Sequence, residues 1–533
     1  MRLMISASTS DPSKAACNEP AGSDLLAKTL AENTELRQQL ADVQQQLATF
    51  KKLLFGPRTE KRPFDIPGQP DLFAQPKAAT DEASATKPVK QHQRGKARKG
   101  FPDGCVNEQG LRFDDSVPLT TIRLQPEGIE GLSPDDYEII GVEKRYKLGQ
   151  HPSSYQVLCY ELPVIKLRGC DEILPIATVP GVLDKSLADV SLLAGLLSDK
   201  FVSHLPLHRQ HQRLEAGGIY LARSTLTNLV RRSIDLLKPI ADAQWQHALL
   251  SKVLAMDETP IKAGKSKTAH KRMKQGYLWP IYGEDDEVVF TYAGSRARHV
   301  IERILAEQFS GTILTDGYSA YASYCRANEK VVHAQCWAHT RRKFVEARED
   351  EPQRADRMLE LIGVLYRIES DIREQALEGE AKHERRQRLS TPVVDEIVAT
   401  AIRMRADPAL LPRSPFSKAL QYLENRVPEL RVFLADPAVS LDTNHLERSI
   451  RPIAMGRRAW LFCWTELGAE HVGIIQSLIC TCRLQGLDPY TYLVDVLQRV
   501  GEHPAHDVIA LTPRVWKTCF ADDPMRSALA RPG

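Results

Sequence analysis

The chain has 533 residues, too many for one hydrophobic core, so two to four domains are expected. With 71 Lys and Arg against 68 Asp and Glu its formal net charge is only +3, so total charge makes no case for nucleic-acid binding and any such case rests on local clusters. No run of about 18 apolar residues occurs and the N-terminus MRLMISASTSDPSK lacks a signal-peptide core, which predicts a cytoplasmic chain with no membrane partner.

In chain order, residues 1–23 read as disordered and residues 24–56 as a coiled coil. Heptads place Leu26, Asn33, Leu40, Leu47 and Leu54 at a positions and Thr29, Leu36, Val43 and Phe50 at d positions. Asn33 at an a position favours a parallel homodimer in fixed register; the alternative is a lone amphipathic helix packed on its own chain. Residues 57–100 are rich in Pro, Ala and Lys and read as a disordered linker. The linker ends in a basic run with Arg94, Lys96, Arg98 and Lys99, suited to a phosphate backbone and equally to a solvated tail.

Residues 101–184 predict short strands, YQVLCYELPVIKL among them, in a small β-rich domain. In 185–245 a helix ends at Gly217-Gly218, and Ser224 or Thr225 caps a second helix carrying Asn228, Arg231 and Arg232. Helix, glycine turn and capped basic helix is the helix-turn-helix pattern, although many helical hairpins share it.

From residue 252 the pattern turns to strands in KVLAMDETPIKA, GYLWPIYG and EVVFTYAG, followed by a helix, the strand GTILTDGYSAY, a helix and the strand VVHAQCWAH. This is the order of an RNase H-like α/β core, in which the first and fourth strands are neighbours. Asp257 and Asp316 then emerge at one sheet edge, where two carboxylates can share a divalent cation. Glu447, in LDTNHLERSIRPIAMGRRAWLF, is the third ligand, or else a surface acid paired with Arg448 or Arg451. Oxygen ligands suit Mg²⁺ or Mn²⁺, and two such ions about 3.5–4 Å apart serve phosphodiester chemistry. Arg448, Arg451, Arg457 and Arg458 around the acid are candidate phosphate contacts.

The segments KLLFGPRTEK, LSDKFVSHLPLHRQ, MDETP, TDGYSAY, HAQCWAHTRRKF, NHLERSIRPIAMGRRAWLF and GIIQSLICTCRLQGLDPYTYLVDVL, in this order, resemble the transposases of the insertion-sequence-66 family of bacterial mobile elements. The resemblance runs from about residue 25 to 515. It implies that Asp257, Asp316 and Glu447 form a DDE triad and that Mg²⁺ or Mn²⁺ is the cofactor. It further implies that the partners are terminal inverted repeats and target DNA, with companion proteins of the element, in a nucleoid-associated setting. The catalytic core would span 246–344 and 436–500, interrupted by a helical insertion at 345–435 and followed by a C-terminal tail at 501–533. The whole chain is thus expected to be multidomain α+β, with coiled coil, β-rich region, helix-turn-helix and RNase H-like core.

Two departures from the family pattern stand out. Only Cys105, Cys159 and Cys170 fall where the family carries a CxxC-type segment, and they form no CxxC pair, so no structural zinc is expected. WTELGAEH, residues 464–471, stands where the family has a small Gly-Ser turn. His333, Cys336 and His339 form an H-x-x-C-x-x-H run, read as structural or DNA-positioning ahead of metal-binding. Arg341, Arg342 and Lys343 on the next helix are candidate phosphate contacts or a solvated basic face. The rival functions are a catalytically silent DNA-binding repressor derived from a transposase, and an RNase H-like nuclease that hydrolyses without strand transfer.

Overall fold

The computed structural model describes residues 111–530 apart from 127, 131, 152–153, 169–172, 266–272 and 307–308. The expected coiled coil, the basic run with Arg94, Lys96, Arg98 and Lys99, and Cys105 and Cys170 lie outside the described residues. Within them the chain is a mixed α/β protein. No helix among the described residues is long and apolar enough to cross a membrane.

The first strands are β1 (Arg112–Phe113), β2 (Leu119–Arg123), β3 (Tyr137–His151) and β4 (Ser154–Leu167). Where short strands were expected, β3 and β4 form one long antiparallel pair, with β2 parallel to β4 on its other side. Length is possible here because both faces of β4 are covered. Val157 joins the large apolar cluster with Leu192 and Leu196, while Leu158, Tyr160 and Leu162 meet Ile122 and Leu529 on the opposite face.

Helices α1 (Val190–Phe201) and α2 (Leu207–Ala216) follow, then β5 (Ile219–Tyr220) and α3 (Arg223–Ala248). The expected break at Gly217-Gly218 is present: Gly218 has φ of 79°, and a Cβ there would lie 2.5 Å from the Asp114 carboxylate. The expected caps are not. β5 is pinned antiparallel to β1, leaving two residues to turn into α3, so Ala222 is the N-cap and Ser224 and Thr225 fall inside the first turn.

Next come β6 (Val253–Met256), β7 (Thr259–Lys265), β8 (Met273–Tyr282), β9 (Val288–Ala293), α4 (Arg298–Leu305), β10 (Gly311–Thr315), α5 (Ser319–Arg326) and β11 (Val331–Gln335). The stretch read as one first strand is two. Met256 pairs with Ile281 and Thr259 with Leu278 in a single register, and only Asp257-Glu258 leave the ladder. Opposite them lies Pro280, which has no N–H to offer. β6 runs parallel to β10 and β10 parallel to β11, whereas β8 pairs antiparallel with β6 and β7 on one side and β9 on the other.

After α6 (Trp337–Ala347) come α7 (Pro352–Glu374), α8 (Thr391–Arg405) and α9 (Pro415–Glu424), which bury Met358, Ile362, Ile397 and Phe416 against Trp337 and Phe344. Then α10 (Asn444–Trp460), α11 (Glu466–Leu484) and α12 (Pro489–Arg499) return to the sheet. α11 covers the β9 edge in a polar way: Phe290 N–H donates to Ser477 Oγ at 2.8 Å and Val288 N–H to Thr481 Oγ1 at 3.1 Å. An edge strand so satisfied offers no open ladder to another chain there. The stretch expected to be a tail is packed as well, since Trp516 stacks edge-on against Tyr492 and Leu511 is fully buried.

Candidate active site

Because Ala255 is registered opposite Leu314, Asp257 and Asp316 leave adjacent parallel strands at the same edge. Oxygens of Asp257, Glu258 and Asp316 all lie within 4.8 Å of one another, which makes this a candidate metal centre. Each acid is held differently. Asp257 Oδ1 accepts from the Glu258 N–H at 2.7 Å, and Asp316 Oδ1 accepts from the Tyr318 N–H at 2.8 Å. Burial raises the Asp257 carboxyl to about 7; the Glu258 N–H opposes this, and the charges of Glu258, Asp316 and Glu447 add to it.

Glu258 is the member that sequence reading did not identify. Its Oε1 accepts from Arg296 Nε at 2.6 Å and its Oε2 from the Tyr321 hydroxyl at 2.8 Å. Arg296 in turn lies 4.1 Å above the Tyr318 ring, beside Asp316. Glu258 is therefore compensated by the protein. Among the described residues, no Lys or Arg forms an ion pair with Asp257 or Asp316. The partners of Glu258 are 38 and 63 residues away in sequence, and only the position directly after Asp257 hinted at a role.

Glu447 sits in the first turn of α10, where the helix dipole favours its charge, and lines a cleft of about 570 Å³ together with Asp257, Glu258, His339, Arg342 and Arg451. It stands outside the 4.8 Å group. His339 Nε2 is 3.6 Å from its Oε1 and Arg342 is 3.5 Å from its Oε2. Oε1 itself is buried without a hydrogen-bond partner, since His339 Nε2 at 3.6 Å stands beyond hydrogen-bond distance.

The H-x-x-C-x-x-H run is divided among three tasks. His333 on β11 meets the Thr315 hydroxyl at 2.9 Å, next to Asp316, and its pKa is lowered to about 4, first by burial. Cys336 Sγ accepts from both the N–H and the hydroxyl of Thr443 at 3.3 Å, so the residue preceding α10 is tied to the end of β11. His339 alone reaches Glu447. Cys336→Ala leaves two buried Thr443 donors unmatched, and urea denaturation is expected to show a loss of about 1–3 kcal/mol.

The predicted basic residues are partly gathered. Arg342 joins Glu447, Arg448 and Arg451 are exposed along the cleft, Arg457 donates to the Pro260 carbonyl, and Arg458 is exposed beyond it. Arg341 is exposed, while Lys343 pairs with Glu346 at 3.0 Å. Asn228 and Arg231 are exposed and Arg232 is half-buried on α3, away from the acids in sequence and on another element.

Residues 185–471 match the family described as Transposase IS66 family, and residues 477–514 match the IS66 C-terminal element. The class that fold and acid-lined cleft accompany here is thus that of the transposases. The chain belongs to the IS66 transposase family. It is 29% identical over 508 residues to the uncharacterized protein y4jD of Sinorhizobium fredii, covering 91% of this chain and 96% of that one. A second uncharacterized protein of the same organism, y4hP, is 29% identical over 475 residues, 85% of this chain and 83% of the other.

Proposed function

We propose that the chain is a DDE transposase that binds the terminal inverted repeats of its element and catalyses metal-dependent strand cleavage and strand transfer. The observation that carries this reading is the pair Asp257 and Asp316, brought together at one sheet edge with oxygens within 4.8 Å. The strand arrangement, with the first strand between the second and the fourth, supports an RNase H-like core. The residues fit a divalent cation: hard oxygens, a desolvated Asp257, and a Glu447 oxygen with no partner. Asp257, Asp316 and Glu447 would hold Mg²⁺ or Mn²⁺. When bound, such ions activate an attacking oxygen and stabilise the leaving one in phosphodiester chemistry.

The protein's own groups position the reactants. His339 and Arg342 keep Glu447 facing the cleft, and Arg296 fixes Glu258 so that its charge is spent before any ligand arrives. Exposed Arg448, Arg451 and Arg458 hold phosphates, with Arg341 at the cleft's far helix. The helix-turn-helix reading of α2 and α3 assigns end recognition to Asn228, Arg231 and Arg232, together with the basic run at Arg94, Lys96, Arg98 and Lys99. Pairing through residues 24–56 would bring two ends into one complex.

The test is incubation of the purified chain with Mg²⁺ or Mn²⁺, a labelled DNA carrying the element's end, and a supercoiled target. Joined products support the reading. Cleavage without joining points to a nuclease, and metal-independent binding without chemistry points to a repressor. Arg451→Ala is expected to weaken binding similarly across DNA sequences and to reduce the slope of log K against log salt by about 1. An unchanged slope removes Arg451 from the phosphate contacts.

A further inference from the structure

The loop leaving α10 presents large apolar side chains to water. Trp464 is 71% exposed and Leu461 66%, with Met455 and Leu467 also exposed nearby in sequence. Scattered exposed apolar residues need no explanation, but Leu461 and Trp464 share one short loop that is firmly mounted. The Cys463 N–H donates to the Lys262 carbonyl at 2.8 Å, and the Gly264 N–H donates to the Cys463 carbonyl at 3.1 Å, which fastens the loop to β7. Phe462 stands edge-on behind Trp464 at 5.1 Å, and Lys274 holds Glu466 at 2.8 Å. Leu461 is kept at φ of 64°, a conformation unfavourable for a branched side chain unless its surroundings enforce it.

The loop lies at the end of a basic track that begins in the acid cleft. Glu447, Arg451, Ala454 and Arg458 follow one another at helical spacing on one face of α10, and the first three line the cleft. Arg451 and Arg458 are exposed along this stripe, and exposed Lys262 adjoins the loop on β7. Two routes measure the distance. Along α10 the rise from Glu447 to Leu461 is about 21 Å, and along β7 the run from Asp257 to Ala263, where Cys463 bridges, is about 20 Å. At about 3.4 Å per nucleotide along one strand, that span is about six nucleotides.

Resting on the transposase reading above, we propose that Trp464, backed by Phe462 and flanked by Leu461, is a wedge that unstacks the DNA end and stacks on an exposed base about six nucleotides from the scissile phosphate. Charge selects this occupant. A duplex that follows Arg451 and Arg458 away from the acids meets the indole next, and an aromatic face accepts any base without regard to sequence. Glu466 beside the indole is paired with Lys274, so Arg451 and Arg458 set the charge of the track that leads to it.

The experiment uses full-length wild type, Trp464→Ala and Trp464→Phe with duplexes carrying the element's end and thymines at successive positions. Permanganate, which attacks unstacked thymines, is applied to metal-free complexes, and cleavage is measured after metal is added. Hyper-reactivity centred about six nucleotides from the cut is expected with wild type and Trp464→Phe and lost with Trp464→Ala. The alanine variant should bind the end about ten-fold more weakly. An end with mismatches built in at those positions should restore its cleavage, which a merely structural defect would not allow. Unchanged reactivity and cleavage in Trp464→Ala, from a wild type that does cut DNA, overturns the wedge and leaves the transposase reading standing. A shift in sedimentation of Trp464→Ala with normal reactivity reassigns the loop to self-association and also overturns it. A wild type that neither binds nor cuts the end removes both readings together.

Discussion

Asp257→Asn is expected to keep DNA binding, to raise the thermal stability of the metal-free protein, and to lower strand cleavage by on the order of a thousandfold or more. The two effects have one cause. In the folded chain the Asp257 carboxyl is raised from 3.8 to about 7, first by burial. An acid whose folded pKa is raised binds its proton more tightly in the native state, so ionising it works against folding. The penalty is absent below about pH 4, grows as pH rises toward about 7, and is constant above that value. Asparagine cannot ionise, so its stabilising effect should follow the same profile: small at pH 4 and full at pH 8. Mn²⁺ should reverse the order, because a ligand that binds only the native state raises the melting temperature of the wild type and not of the variant. Melting curves at pH 4, 6 and 8, with and without Mn²⁺, check both signs. A variant less stable than wild type at pH 8 without metal would show that Asp257 is already neutralised in the protein, and the metal reading would fail with it.

The acids were legible because of where strands end. An apolar run that stops at an acid leaves a pattern in one dimension, and adjacency of the first and fourth strands follows from element order, so the sequence alone pairs Asp257 with Asp316. What the sequence hid are relationships that depend on distant partners. Nothing near Glu258 announces Arg296 or Tyr321, and nothing near Cys336 announces Thr443, which lies 107 residues on. Local signals also yielded to tertiary pairing. Ser224 and Thr225 are good caps by type, yet the two-residue ladder between β1 and β5 starts α3 earlier. KVLAMDETPIKA has the composition of one strand, and its interruption at Asp257-Glu258 depends on the partner strand presenting Pro280 there. Trp464 illustrates the reverse case, a residue whose exposure no periodicity forecasts.

The other large effect is expected far from the acids. Arg386 is fully buried where the helix after Gly379 loosens into a π-helical turn, Arg386–Ser390. Its guanidinium meets Glu369 in a two-pronged pair at 2.8 Å for each prong, and its remaining nitrogen donates to the carbonyls of Phe433, Val439 and Asp436 at 2.7, 3.0 and 3.2 Å. Every guanidinium nitrogen has a partner, which favours keeping a buried ion. Arg386→Met removes the cation and leaves a desolvated carboxylate and the carbonyls of Phe433 and Val439 without this donor, while the Asp436 carbonyl keeps the Val439 N–H, and a loss of about 3–5 kcal/mol in urea unfolding is expected. Arg386→Met combined with Glu369→Leu should recover much of that loss, because no unpaired charge is left behind; a double variant as unstable as the sum of the two would assign the cost to packing instead. The clamp also has a functional direction. The carbonyls it holds lie in the stretch 433–439, which continues through Leu441, bound to the Trp337 N–H at 3.1 Å, to Thr443 and the first turn of α10. Loosening that stretch displaces Glu447 relative to Asp257 while leaving exposed Arg448 and Arg451 to meet phosphate. Below its own melting temperature, the double variant should therefore lose cleavage more than DNA binding, whereas equal losses would show that the insertion acts on the fold as a whole and carries no particular responsibility for the third acid.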